Sequence, residues 1–127
     1  VTVQFQVSGW THPGRVRRTN DDAWSSYVPA DPYSLSAKGA FFAVADGLDG
    51  RQNGGLASRR AIETTLYTYY RDPSPDLAGS LARAVQMANF DLHSLGQSFP
   101  AYAGLRTTLV AAVVRAGEAV VANVGDS

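Results

Sequence analysis

Phe41-Phe42-Ala43-Val44-Ala45-Asp46-Gly47-Leu48-Asp49-Gly50 decides the fold. An apolar run rich in aromatics and valine reads as a buried strand. It ends on a carboxylate, Asp46, where the backbone must turn. Asp-Gly is a common turn signal, so the plain reading is a turn. The reading as a site depends on what the rest of the chain brings to that strand end.

The nearest upstream strand candidate is Ala23 to Val28, which contains Trp24, Tyr27 and Val28. Between the two strands, Pro29 to Gly39 is turn-rich, so an antiparallel hairpin is the simplest connection. Asp22 opens the first strand and Asp46 closes the second. Pairing Asp22 with Asp46 centres the loop near Ser34 and places both carboxylates on one face, since directly opposed residues point the same way. Asp21 and Asp49 stand beside them in sequence. Like charges that close are unfavourable unless protonated or bridged by a cation, and a hard divalent ion with oxygen ligands resolves the conflict. Before Asp22 runs Arg15-Val16-Arg17-Arg18-Thr19-Asn20-Asp21, whose plain reading is a solvated charged loop.

Val1, Val3, Phe5 and Val7 alternate with polar residues, which predicts a half-buried N-terminal strand. Asn53-Gly54-Gly55 precedes a helix expected over Leu56 to Tyr70, with Ile62, Leu66 and Tyr69 on one face and Arg59 placed to pair with Glu63. Arg71-Asp72-Pro73 ends it. Ser74 as N-cap and Pro75 at the first helical position start a second helix, with Leu77, Leu81, Ala84, Val85, Ala88, Leu92 and Leu95 as its apolar stripe. Gly96 to Gly104 is expected to be a loop. Thr107 to Val114 and Glu118 to Val124 read as a hairpin of two strands covered on both faces. The expected class is therefore α+β, with an antiparallel helix pair lying on an antiparallel sheet. His12 falls in a loop and His93 off the apolar stripe, and neither is assigned a catalytic role.

The 127 residues match one small domain, and 45% hydrophobic with 17% charged residues is an ordinary globular balance. Eleven basic and 11 acidic residues give zero formal net charge, which argues against nucleic acid or an anionic membrane as the main partner. There is no cysteine, so a metal must sit on oxygen or imidazole ligands. No apolar run approaches a membrane span and no signal peptide is visible, and a cytoplasmic location is expected. The chain runs out of a strand pattern at Val124-Gly125-Asp126-Ser127, which reads as a domain cut short.

Taken together, Gly14-x-Val16-Arg17-x-x-Asn20-Asp21-Asp22, Phe42-Ala43-Val44-Ala45-Asp46-Gly47, Gly54-x-x-Ala57-Ser58, Thr107-Thr108-Leu109-Val110 and Asn123-Val124-Gly125-Asp126-Ser127 resemble the N-terminal half of the metal-dependent protein phosphatases of type 2C, in their bacterial style. The resemblance runs from about Gly14 to Ser127. It implies part of a four-layer α-β-β-α sandwich. It also implies hydrolysis of phosphoserine and phosphothreonine on proteins, with two Mn²⁺ or Mg²⁺ ions activating a water. By position, Asp22 matches a metal ligand, Asp46 the carboxylate that bridges both ions, and the carbonyl of Gly47 a further ligand. Asp21 would act through metal-bound water, and Arg17 matches the arginine that grips the substrate phosphate. Asp126 is implied as structural support.

The sequence also departs from that pattern at Asp49, Arg51, Gly55 and Arg106. These departures, with the absent second half, leave an alternative: a pseudophosphatase or half-domain acting as a binding module without turnover. The edges of an incomplete sandwich also offer a route to homo-oligomers.

Overall fold

The structure, a computed structural model, describes residues 3–48 and 53–127. Its strands are β1 (Asp22–Tyr27), β2 (Ala40–Asp46), β3 (Leu109–Arg115) and β4 (Glu118–Val124), and its helices are α1 (Pro32–Lys38), α2 (Gly54–Arg71) and α3 (Leu77–Ser98). A single 3₁₀ turn, Pro100–Tyr102, follows α3. The strands form one antiparallel sheet in the order β1-β2-β3-β4. The α+β class is as expected.

Alternation along the strands decides what the sheet packs on. Phe41, Ala43 and Ala45 of β2 and Leu109, Ala111 and Val113 of β3 are buried in one cluster with Ile62, Tyr69, Leu77, Leu81 and Ala84. The helix pair therefore covers this face. A second cluster joins Ala57 and Ala61 near the start of α2 to Leu92 near the end of α3, so the two helices run antiparallel. Arg60 clamps Asp91 across them with two hydrogen bonds of 2.6 and 3.0 Å. The expected pair within α2, Arg59 with Glu63, does not form. The adjacent arginine faces α3 and finds its partner there.

The opposite face carries Trp24, Phe42, Val44 and Val121, and Val121 remains 65% exposed. The expectation that β3 and β4 are covered on both faces is therefore corrected for the described residues. Covering is partial, and part of it comes from the N-terminal segment. Phe5 lies against Phe42 with ring centroids 5.9 Å apart, and Gly9 sits so close to the Trp24 ring that an added Cβ would fall 2.6 Å from it. The strand expected over Val1 to Val7 is not one among its described residues, 3–7. Its alternating pattern supplies apolar contacts, but a strand also needs a neighbour's ladder, and this segment joins neither sheet edge.

Three further local expectations are corrected. The β1–β2 connection holds α1, because the Asp31 carboxylate caps it at Ser34 N–H (2.8 Å) and Pro32 occupies the first turn. At the start of α3, Asp76 is the N-cap, while Ser74 stays outside and accepts the Asp76 N–H at 3.2 Å. The C-terminal part of α3 runs on to Ser98 through what read as loop.

At the sheet end remote from Asp46, Lys38 is buried. Its ammonium donates to the Asp72 carbonyl (2.9 Å) and the Ser80 hydroxyl (3.2 Å) and lies 4.3 Å from the Tyr69 ring centroid. Burial lowers its pKa below the ordinary lysine value. The Tyr69 and Tyr70 hydroxyls donate to the carbonyls of Lys38 and Gly39 at 2.6 and 2.7 Å. These bonds pin the C-terminal half of α2 to the α1–β2 junction. Among the described residues no helix is long and apolar enough to cross a membrane.

Candidate active site

The register of β1 on β2 places Asp22 directly opposite Asp46, as the hairpin reading requires. Both carboxylates lie on the face away from the helices, at the end of the sheet. The Asp46 carboxyl is raised above the ordinary carboxylate range. Its partial loss of water is the leading cause, followed by a hydrogen bond and charge repulsion from Asp22. The Arg17 guanidinium opposes this shift and the Asp126 carboxylate adds to it. Arg17, in the loop before β1, and Asp126, in the turn after β4, therefore both bear on Asp46 electrostatically.

Asp21, the neighbour of Asp22, points elsewhere. One of its carboxylate oxygens accepts the Gly55 N–H at 3.1 Å, at the start of α2, and its carbonyl accepts the Gly47 N–H at 3.0 Å. Gly47 and Gly54 pack so closely that a Cβ on Gly47 would lie 2.1 Å from the Gly54 carbonyl oxygen. A Cβ on Gly54 would lie 2.7 Å from the Asp21 Cγ. The glycines therefore set how near the helix comes to the strand end.

Thr108 completes this end of the sheet. Its N–H donates to the Asp46 carbonyl at 2.9 Å, and its hydroxyl accepts the Asp46 N–H at 3.1 Å. Sequence reasoning placed Thr108 in a strand motif without a role. The signal is a hydroxyl at the mouth of a strand otherwise made of Leu, Val and Ala.

Asp22 and Asp46, with the Gly47 carbonyl, offer hard oxygen donors, and mutual repulsion makes the carboxylate pair receptive to a cation. The fit is one of kind and incomplete in number. Among the described residues no group of three or more His, Cys, Asp or Glu side chains stands ready to hold an ion. Asp49 and Arg51 lie outside the described residues. The two other departures take part in backbone hydrogen bonds at this end of the sheet: the Gly55 N–H is the donor to Asp21, and the Arg106 carbonyl accepts the Leu48 N–H at 2.9 Å. His12 accepts the Gly14 N–H and His93 is exposed on α3, both away from the carboxylate pair in sequence and hydrogen bonding.

Residues 14–127 match the family model described as Protein phosphatase 2C. The chain belongs to the protein phosphatase 2C family. It is 30% identical over 127 residues to protein phosphatase PhpP of Streptococcus pneumoniae, an alignment covering 97% of this chain and 48% of that protein. The crystal structure of the Mycobacterium tuberculosis serine/threonine phosphatase PstP/Ppp superposes with a TM-score of 0.70 at 30% identity, covering 91% of this chain and 44% of that one. The catalytic domain of PstP in complex with two manganese ions matches with a TM-score of 0.70 at 28% identity, over 91% of this chain and 45% of that one. The chain thus spans about half the length of the relatives it matches, and corresponds to their N-terminal half.

Proposed function

We propose that this phosphatase-family chain carries part of the active site of a metal-dependent protein serine/threonine phosphatase, whose substrates are phosphoproteins. The observation that carries the reading is the cross-strand pairing of Asp22 with Asp46 on one face, with the Arg17 charge bearing on Asp46. Asp22, Asp46 and the carbonyl of Gly47 would hold the metal. Asp21, with one oxygen engaged by Gly55, would reach it through water from its other oxygen. Mn²⁺ or Mg²⁺ ions, two in the manganese complex of PstP, supply Lewis acidity and an acidified water when bound.

Arg17 is exposed in the loop before β1, where a large substrate can reach it. Its planar fork suits two phosphoryl oxygens at once, and its fixed charge stabilises the charge that grows on them as the ester P–O bond breaks. Among the described residues the donors are few, so turnover is proposed for a chain that carries the rest of the fold, as the relatives do. One domain over residues 1–127, a cytoplasmic location and self-association through the β1 or β4 edge belong to the same proposal.

The test is phosphate release from a phosphoserine or phosphothreonine peptide by the full-length protein with Mn²⁺, beside Asp46→Ala and Arg17→Ala. Release lost in Asp46→Ala and weakened in Arg17→Ala is the expected result. A wild-type protein that leaves the peptide untouched sinks the catalytic reading and leaves the binding-module alternative. That alternative predicts intact cellular function in Asp46→Ala.

A further inference from the structure

The register that pairs Val44 with Val110 brings Asp46 opposite Thr108 two residues on. The Thr108 N–H bond to the Asp46 carbonyl marks this as a hydrogen-bonded rung, in which the Asp46 N–H would regularly bond the facing carbonyl. Here that carbonyl accepts the Thr107 hydroxyl at 2.7 Å instead. The Asp46 N–H turns to the Thr108 hydroxyl at 3.1 Å. The Thr108 N–H still donates to the Asp46 carbonyl at 2.9 Å. One residue therefore holds both polar groups of the Asp46 backbone, one of them through its side chain.

That side chain is itself fixed. Thr108 is only 2% exposed, and its hydroxyl shares a 2.5 Å hydrogen bond with the Ser127 hydroxyl. The turn bearing Ser127 closes tightly over it. Gly125 has φ of 100°, and a Cβ there would fall 2.9 Å from the Thr108 methyl carbon. The Ser127 carbonyl is tied back by the Asn123 side chain at 2.8 Å. Ser127 thus orients a hydroxyl that orients Asp46, and Asp126 rides on the same turn.

We infer that Thr108, held by Ser127, is a positioning residue for the metal-binding carboxylate of Asp46, an inference that rests on the proposed metal site. Threonine suits the position for two reasons. Its hydroxyl satisfies the N–H that the bent ladder leaves without a carbonyl, and its methyl fills the space under Gly125. Valine keeps the shape and removes the acceptor, so the Asp46 N–H loses its partner and the strand end its fixed course. Serine keeps the acceptor.

The probe is Mn²⁺ alone, added to the isotope-labelled chain, with paramagnetic broadening of the Asp22 and Gly47 amide signals as readout. Broadening reports where the ion sits even when binding is weak. Thr108→Val is expected to raise the Mn²⁺ concentration for half-broadening by about 10- to 100-fold, the usual cost of removing a partner that orients a ligand. Thr108→Ser should stay within a few-fold of wild type, and Ser127→Ala should shift in the same direction as Thr108→Val. Tyr69→Phe, at the far end of α2, serves as a variant of reduced stability whose Mn²⁺ midpoint should not move.

If Thr108→Val and Ser127→Ala both respond to Mn²⁺ as wild type does, the positioning role is overturned and the metal site stands. Should Thr108→Val fail to fold, Ser127→Ala decides alone. A wild-type chain whose Asp22 and Gly47 signals never broaden overturns the metal-site reading and this inference with it.

Discussion

The carboxylate of Asp21 accepts the backbone N–H of Gly55 at 3.1 Å, across 34 positions of chain. The local N-cap, Asn53, makes no side-chain cap hydrogen bond to α2 and donates to the Ala101 carbonyl instead. Asp21 therefore serves α2 as a cap from another part of the chain. Its neighbour Asp22 faces Asp46 on the other side of the sheet end. Two adjacent acids have separate duties, and their substitutions should separate too.

Asp21→Ala should lower stability by about 1 kcal/mol, the usual cost of losing a helix cap. Asp22→Ala should leave stability unchanged or raise it, while removing the response to Mn²⁺. Urea denaturation of the two variants with and without Mn²⁺ measures both effects. An Asp21→Ala variant as stable as wild type would mean the bond to Gly55 does not hold the helix.

The carboxylate pair should cost stability when no metal is bound. Asp46 has a raised pKa, so its stabilising contribution is present at low pH and lost as pH rises through the raised value. Near neutral pH the charged pair is a liability. Asp46→Asn should then stabilise the metal-free chain, by at most about 1 kcal/mol because the group is exposed to water. Saturating Mn²⁺ should reverse the order, since the ion stabilises only the form that binds it. Thermal melts of both proteins with a chelator and with Mn²⁺ check the crossing. Identical melts in all four samples would remove Asp46 from the metal site.

The hairpin register and the facing acids were legible because period-two alternation and a strand-terminal acid leave little freedom in pairing. Helix existence was legible from a different period, the i, i+4, i+7 apolar stripe between Leu77 and Leu95. Three kinds of feature were not. The helix α1 hides in a stretch of Pro, Asp and Ser whose turn and cap readings coincide locally. The exchange of Arg59 for Arg60 as an ion-pair partner depends on the relative rotation of α2 and α3, which one helix's sequence does not contain. The duties of Asp21 and Thr108 are long-range hydrogen bonds. In the sequence Asp21 is one of two adjacent acids and Thr108 one of two adjacent threonines, and only the packing of α2 and the turn after β4 distinguishes them.

At the other end of the molecule, Tyr69 and Tyr70 make the fold sensitive to alkali. Burial pushes the Tyr69 phenol up to about 12, and Tyr70 is raised by burial as well. A raised pKa means the contribution is complete below the unfolded phenol's ordinary value, about 10, and is lost as pH rises through the folded one. Stability should fall between about pH 10 and about pH 12, with phenolate absorbance appearing together with unfolding. Tyr69→Phe should flatten that decline. At neutral pH it should cost about 1–3 kcal/mol, because the Lys38 carbonyl, which accepts the Tyr69 hydroxyl at 2.6 Å, loses its donor. Urea midpoints from pH 8 to 12 for both proteins decide the matter. Phenolate absorbance that rises at the ordinary tyrosine value while the fold persists would show that these rings are not protected.

Gly47 gives the sharpest steric prediction. A methyl group there meets the Gly54 carbonyl oxygen at 2.1 Å and its carbon at 2.5 Å, both of them backbone atoms that no rotamer change can move aside. Gly47→Ala must push the end of β2 away from the start of α2. The expected cost is about 1–3 kcal/mol, the range for overpacking a tight contact. The same displacement strains the Gly47 N–H bond to the Asp21 carbonyl and the Asp21 bond to Gly55. Gly47→Ala and Asp21→Ala therefore act on one junction, and the double variant should lose less than the sum of the two single losses. The proposed ligand carbonyl of Gly47 moves with the junction, so Mn²⁺ broadening at Asp22 should weaken in Gly47→Ala. A four-protein denaturation cycle measures the coupling. Strict additivity, or a Gly47→Ala variant within about 0.5 kcal/mol of wild type, the ordinary range for a neutral surface change, would mean that strand and helix ends meet less closely than the Gly47–Gly54 contact requires.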